Sequence, residues 1–378
     1  MLGSNRRVVT TATIALVVCF SQTGCKKDGA GGAADAAPSA SAAGSKPTPK
    51  EVPFAAKLAA STPLDPKVTP QEGGGVKVTA ERCQMEGGPL TDKSNLDVTR
   101  ALRVIGDKAY LVDADESIRA YDIAPGAACK LTIDKTFGTA GVMKLTDKIA
   151  RLASDSAGHL FASSGVFGST RLTGGKVDFK CGARPQGYLY VHPNGKLGIG
   201  TFANATVAKL SFDDNGCKSE PWVFQDMSDA TKRKGPLGNA QAVGFVGDTI
   251  FVGGVLAKEV DPNEPRVVLA LDAAGKEKFR FGAVDKGGSS EDRFGWVHGI
   301  APCKPGICVL DSNYRRITFW KTDGKYVGFV KLDKLFGLEY PWISDFSAGK
   351  NGTTYFATGQ ERQKSGASEA NIYRVSGI

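Results

Sequence analysis

Histidine is nearly absent: His159, His192 and His298 are the three in 378 residues. A zinc centre built from several imidazoles would need all of them, and His159 (SAGHLF) and His192 (VHPNGK) fall at or beside turns. No Cys-x-x-Cys pair occurs, so the cysteines lack the spacing of a zinc site. No Ser-His-Asp arrangement, P-loop or dinucleotide fingerprint is visible in the sequence. FDDNG, residues 212–216, starts like a calcium loop but lacks the glycine and distal glutamate in register, and reads as a turn. Long apolar runs are missing as well. VVTTATIALVVCF, residues 8–20, is too short to anchor stably across a bilayer.

That run follows Arg6 and Arg7 and ends in SQTGC, the layout of an export leader. Thr23 and Gly24 before Cys25 resemble a bacterial lipoprotein signal, in which the cysteine becomes the lipidated first residue; Gln22 stands where leucine is usual, and a plain secretory leader is the alternative. Residues 26–75 are Ala, Gly, Ser, Pro and Lys with almost no aromatic side chain, too little apolar surface to offset the entropy of ordering. They are expected to form a tether with a reach of roughly 40 Å. The expected organisation is a leader over 1–25, a tether over 26–75 and one folded domain over 76–378, held to the membrane through the N-terminal lipid. The expected place is the bacterial cell envelope, on the periplasmic or surface face of the outer membrane.

The formal charge of +9 is scattered apart from Lys232, Arg233 and Lys234. It reads as a solvated basic surface, with no nucleic-acid partner expected for an exported chain. Of eight cysteines, Cys19 belongs to the leader and Cys25 is the lipid acceptor. Cys83, Cys129, Cys181, Cys217, Cys303 and Cys308 remain, an even number that predicts three disulfides in an oxidising compartment.

What is abundant is turn-punctuated strand. WVHGIAPCKPGICVLDSNYRRITFWKTDGKYVGFV, residues 296–330, runs apolar strand, turn, apolar strand ending in Asp, polar turn, then two further strands. RALRVIGDKAYLVDADESIRAYDI, residues 100–123, has the same order, and four more units follow it less closely, at a period of about 47 residues. Four short strands per unit at that spacing predict an all-β, six-bladed β-propeller of four-stranded antiparallel blades. The last unit supplies three strands, and GVKVTAERCQM, residues 75–85, is expected to close the ring as its outer strand.

FGAVDKGGSSEDRFGWVHGIA followed by GICVLDSNYRRITFWKTDGKYVGF resembles the NHL repeat: an FG-rich linker, a His-Gly-Ile-Ala strand, a Val-x-Asp strand, an Asn-x-Arg-Ile segment and an Asp-Gly-Lys hairpin. The resemblance implies a six-bladed propeller without fixing an activity, because the fold hosts scaffolds and enzymes. Placing Cys83 and Cys129 in outer strands of the last and first blades, and Cys181 and Cys217 in those of the second and third, predicts the pairs Cys83–Cys129 and Cys181–Cys217. Cys303–Cys308 would clip one hairpin.

The position before Gly-Ile-Ala in each unit gives Arg100, Ala150, Gln186, Gln241, His298 and Asp345, with Trp296 and Trp342 just ahead of two of them. These begin the innermost strands, where side chains converge on the channel. Arg100, Gln186, Gln241, His298 and Asp345 are therefore the candidate ring for a small polar or anionic ligand, with His298 and Asp345 close enough to share a proton; plain channel lining is the alternative. Propeller lyases similar to NHL proteins need a histidine-held zinc that this chain cannot assemble. No catalytic residue, metal or cofactor is assigned. The expected function is a monomeric binding or protein-interaction module with an envelope protein or glycan partner, using loops 225–240, 254–266, 283–296 and 358–370; the alternative is a metal-dependent, lactonase-like hydrolase.

Overall fold

The structure, a computed structural model, describes residues 71–92, 99–113, 116–146, 148–164, 168–182, 188–201, 207–222, 237, 239–255, 266–282, 292–338, 343, 345–349, 354–362 and 368–378. All lie in the compact unit Val52–Ile378. Cys25, Gln186, Trp342, the leader and the tether as far as residue 70 are outside the described residues.

The chain opens with β1 (Gln71–Gly73), β2 (Val76–Arg82), β3 (Gln84–Met85) and β4 (Leu90–Asp92). Next come β5 (Thr99–Ile105), β6 (Lys108–Asp113), β7 (Ser117–Ile123) and β8 (Lys130–Ile133), with the short β9 (Val142–Lys144). Four plain four-stranded meanders follow. They are β10 (Ile149–Ser154), β11 (Leu160–Ser164), β12 (Gly168–Thr173) and β13 (Lys176–Cys181); then β14 (Tyr188–Val191), β15 (Leu197–Thr201), β16 (Val207–Phe212) and β17 (Cys217–Pro221). The other two are β18 (Asn239–Val246), β19 (Thr249–Val255), β20 (Arg266–Leu271) and β21 (Glu277–Phe281); then β22 (Val297–Cys303), β23 (Gly306–Asp311), β24 (Arg316–Trp320) and β25 (Tyr326–Lys331). A short helix, α1 (Leu332–Phe336), precedes β26 (Phe346–Ala348), β27 (Thr354–Arg362) and β28 (Ser368–Ser376). The fold is an all-β propeller of four-stranded antiparallel blades.

Local chemistry explains the meanders. Strands between two neighbouring sheets are apolar on both faces, as in RVVLAL of β20, where every residue is buried. Turns carry their own acceptors: Asp272 Oδ1 takes the backbone N–H groups of Ala274 at 3.0 Å and Lys276 at 2.8 Å. In α1, Leu332, Leu335 and Phe336 recur at helical spacing and are buried, and Gly337 ends the helix in the left-handed conformation at φ 65°.

The stretch 75–85 is not the single strand expected from sequence. It changes sheets at Cys83: β2 pairs antiparallel with β28, whereas β3 pairs parallel with β8 in the sheet of β5–β8. β1, in a stretch assigned to the tether, pairs with β2. Gly377 marks how closely the termini approach, since a Cβ there would lie 1.9 Å from the Lys77 carbonyl oxygen.

The core lies between sheets. Phe251, Phe281, Phe294 and Trp320 pack with Val252, Val268 and Val309, joining the sheets of β18–β21 and β22–β25. A second cluster joins Val78 and Ala80 of β2 to Leu310, Phe319, Phe336 and Tyr373, the last two rings stacked at 4.3 Å. A third joins Cys83, Leu102, Leu111 and Leu131 to Ile372. Each large apolar side chain buried this way contributes about 1.5–3 kcal/mol.

Cys83–Cys129, Cys181–Cys217 and Cys303–Cys308 are the three disulfides, as the strand placement predicted, with Cα–Cα distances of 4.6, 5.6 and 5.7 Å. The first ties the crossing between β2 and β3 to the residue before β8, and the second joins the edge strands β13 and β17 of two sheets. The third clips the β22–β23 hairpin.

Candidate functional site at the entry of the inner strands

The first strand of one sheet packs against the first strand of the next: β26 on β5, β5 on β10, β10 on β14, and β18 on β22. Four of these strands break register at their entry, and the residue that the strand pairing skips is Arg100 in β5, Ala150 in β10, Gln241 in β18 and His298 in β22. A bulge adds twist and re-aims the chain. The aligned sequence positions are thus a recurring structural device. Asp345 stands directly before β26.

Asp345 is 1% exposed and organises the site. Its Oδ2 accepts from Leu102 N at 3.1 Å, and its Oδ1 accepts from Phe346 N at 2.8 Å. Arg103 Nη1 and Arg151 Nη2 each reach Oδ1 at 3.2 Å. Burial alone would raise the pKa of this carboxyl; the two guanidinium groups and the backbone donors outweigh it and hold the group below the usual carboxylate range.

The Arg151 guanidinium lies 4.6 Å from the ring centre of Tyr190 and 5.8 Å from that of Tyr188. Burial pushes the Tyr190 phenol up, so it stays a neutral donor, and its hydroxyl donates to the Gln241 carbonyl at 3.2 Å. Gln241 Oε1 in turn accepts from Val297 N at 3.1 Å. Ser163 Oγ donates to Arg151 O and accepts from Leu189 N, both at 3.4 Å, and Ser347 Oγ accepts from Val104 N at 3.0 Å. A side chain of one sheet thereby satisfies a backbone N–H of the next, repeatedly.

Of the sequence-derived ring, Asp345 and Gln241 are buried here and largely committed to these links, and His298 is half-buried in β22. Arg100 holds the β5 bulge. Among the described residues, Arg103 and Arg151 reach Asp345 and Tyr190 packs on Arg151; the alignment passed over all three. Their signal was a cation inside an apolar strand, ALRVI and IARLA, where only a partner makes burial tolerable.

The motif Asp and Arg of the repeats clamp turns. Asp311, fully buried, accepts from Gly295 N at 3.0 Å and Trp296 N at 3.1 Å and pairs with Arg316 at 3.2 Å. Asp113 accepts from Ser117 N at 2.9 Å and pairs with Arg119 at 2.5 Å. His159 pairs with Asp155 at 2.7 Å within a hairpin turn, and His192 Nδ1 accepts from Asn194 N at 3.1 Å in another. Asp213 Oδ1 takes Asn215 N and Gly216 N, closing FDDNG as a turn. Among the described residues no group of three or more His, Cys, Asp or Glu could hold a metal ion.

Connections differ between the two ends of the sheets. First-to-second and third-to-fourth strand links are short, such as 106–107, 174–175, 247–248 and 304–305. The strand ends that flank 222–238, 256–265, 282–296 and 332–345, the four longest intervals between strands, fall at the end where the inner strands begin. Of the expected loop 358–370, residues 358–362 and 368–370 are strand, in β27 and β28. Most of the other three lies outside the described residues. Tyr188 and Trp296, exposed at the starts of β14 and β22, rim this same end.

No family model matches the chain, and no curated protein does. A chain in a crystal structure of a nidogen/laminin complex is similar at 12% identity and a TM-score of 0.41, covering 63% of this chain and 81% of that one. The WD40 β-propeller domain of Doa1 is similar at 11% identity and a TM-score of 0.44, covering 72% and 78%.

Proposed function

We propose that this chain is a lipid-anchored, monomeric binding or protein-interaction module of the bacterial cell envelope, an NHL-like propeller of six blades that engages an envelope protein or glycan at the end where its inner strands begin. The observation that carries it is that the strand ends flanking the four longest intervals between strands fall at that one end, with exposed Tyr188 and Trp296. Loops on a rigid scaffold are the usual place of recognition. Six blades are supported by four plain meanders and two composite sheets, and closure by the N-terminal strand by the β2–β28 pairing and its shared core. The Asp311–Arg316 and Asp113–Arg119 clamps support the NHL likeness. Three disulfides fit an extracellular or envelope location, and among the described residues no helix is long and apolar enough to cross a membrane. Lipidation at Cys25 and the tether of 26–75 rest on the sequence. Within the ring, Arg100, Gln186 and His298 are assigned to ligand contact, while Gln241 and Asp345 also hold the blades together.

Fractionation of cells, with metal analysis and lactone-hydrolysis assays of the detergent-extracted full chain, tests this. The mature chain should pellet with membranes, leave them with detergent and not with salt, and carry no metal-dependent hydrolysis. Hydrolysis abolished by a chelator and restored by zinc or calcium would replace it with the lactonase-like alternative.

A further inference from the structure

Two permanent cations share one carboxylate inside the ring of inner strands. The side chains of Arg151, Arg103 and Asp345 are 6%, 13% and 1% exposed, and among the described residues Asp345 is the only carboxylate paired with either guanidinium. Tyr190 remains neutral, so one positive charge is left over. A buried cation without an anion is among the costlier arrangements a fold can keep.

Two buried donors at this end of the inner strands are unspent. Arg151 Nε and the Gln241 side-chain amide Nε2 are buried and have no hydrogen-bond partner, although both residues are more than nine-tenths buried. Buried donors in folded proteins are as a rule hydrogen-bonded. Tyr190 lies between the two residues, its face toward the Arg151 guanidinium and its hydroxyl donating to the Gln241 backbone carbonyl. Tyr188, on the same guanidinium, is 47% exposed.

We infer that this place binds a small carboxylate, its oxygen accepting from Arg151 Nε–H and its body lying along Tyr188, with the Gln241 amide supplying a further donor to a polar ligand. The carboxylate neutralises the surplus cation, and the guanidinium edge offers a directional donor that an ammonium does not. The inference rests on the proposal that ligands enter at the end where the inner strands begin.

The test is calorimetric titration of the full chain in detergent with sodium benzoate, sodium acetate, sodium phosphate and sodium chloride. Benzoate should bind with acetate weaker, phosphate weaker still and chloride without effect. Arg151→Lys keeps the charge and loses the Nε–H, and should weaken benzoate at least roughly tenfold. Gln241→Leu and Tyr188→Ala should each weaken it by a few-fold, and Tyr188→Ala, at an exposed position, keeps the test decisive if Arg151→Lys fails to fold. Equal responses to benzoate and chloride, or benzoate affinity unchanged in Arg151→Lys or in Tyr188→Ala, would overturn the inference. Loss of benzoate binding with the chain still membrane-bound refutes the ligand class alone. Release of the chain from membranes without detergent refutes the anchored module and leaves the titration result intact.

Discussion

Arg151, in the inner strand β10, reaches Asp345, at the entry of β26, with 3.2 Å between Nη2 and Oδ1, although β5 packs between those two strands. A contact that skips a sheet is possible only on the side where inner strands converge. It fixes three sheets at once, because Asp345 also accepts from Leu102 N in β5.

Replacing Asp345 by asparagine should therefore cost about 3–5 kcal/mol, the usual effect of removing one partner from a buried ion pair. Urea unfolding of the wild type and the variant measures it. A loss below about 1 kcal/mol would show the pair to be dispensable.

The acid limb of stability follows from the same carboxyl. Its folded-state pKa lies below the unfolded value, so its contribution is complete above about pH 4 and is lost as pH falls through the lower folded value. Unfolding free energy measured from pH 7 downward should fall steeply there in the wild type. The amide of the Asp345→Asn variant carries no such proton, and the curve should flatten.

The disulfides should differ in weight. Chain entropy assigns about 4 kcal/mol to Cys83–Cys129, whose cysteines are 46 residues apart, and about 2 kcal/mol to Cys303–Cys308, 5 apart. Paired Cys→Ala variants in urea titrations test the order, and non-reducing peptide mapping tests the pairing. Cys83 joined to any other cysteine would remove the β3–β8 crossing as its cause.

Much of the fold was legible because its determinants are local. Asp and Gly in turns such as DAAGK, alternating strands, and one Asp-to-Arg clamp per clear repeat can be read along the chain. The disulfides followed once the cysteines were placed on edge strands. The buried cluster was not legible in the same way. Arg151 lies 194 residues from Asp345, and Arg103 and Arg151 sit at different offsets from the bulges at Arg100 and Ala150. No alignment of repeats brings those offsets together; only packing of neighbouring sheets does.

Cys25→Ala should abolish membrane association. Without an acceptor for the lipid, the chain is expected in the soluble envelope fraction or as an uncleaved precursor. A variant that pellets like the wild type, with its leader removed, would transfer the anchor to some other segment.

The most direct test of a one-ended recognition module is a photo-cross-linking scan in intact cells. A photoreactive phenylalanine analogue replaces Tyr188 or Trp296 at the inner-strand entry, and Asn194 or Ala274 in exposed turns at the opposite end. Adducts to an envelope protein or glycan are expected from positions 188 and 296 and not from 194 and 274. Adducts from the opposite turns, or from none of the four positions, would contradict it.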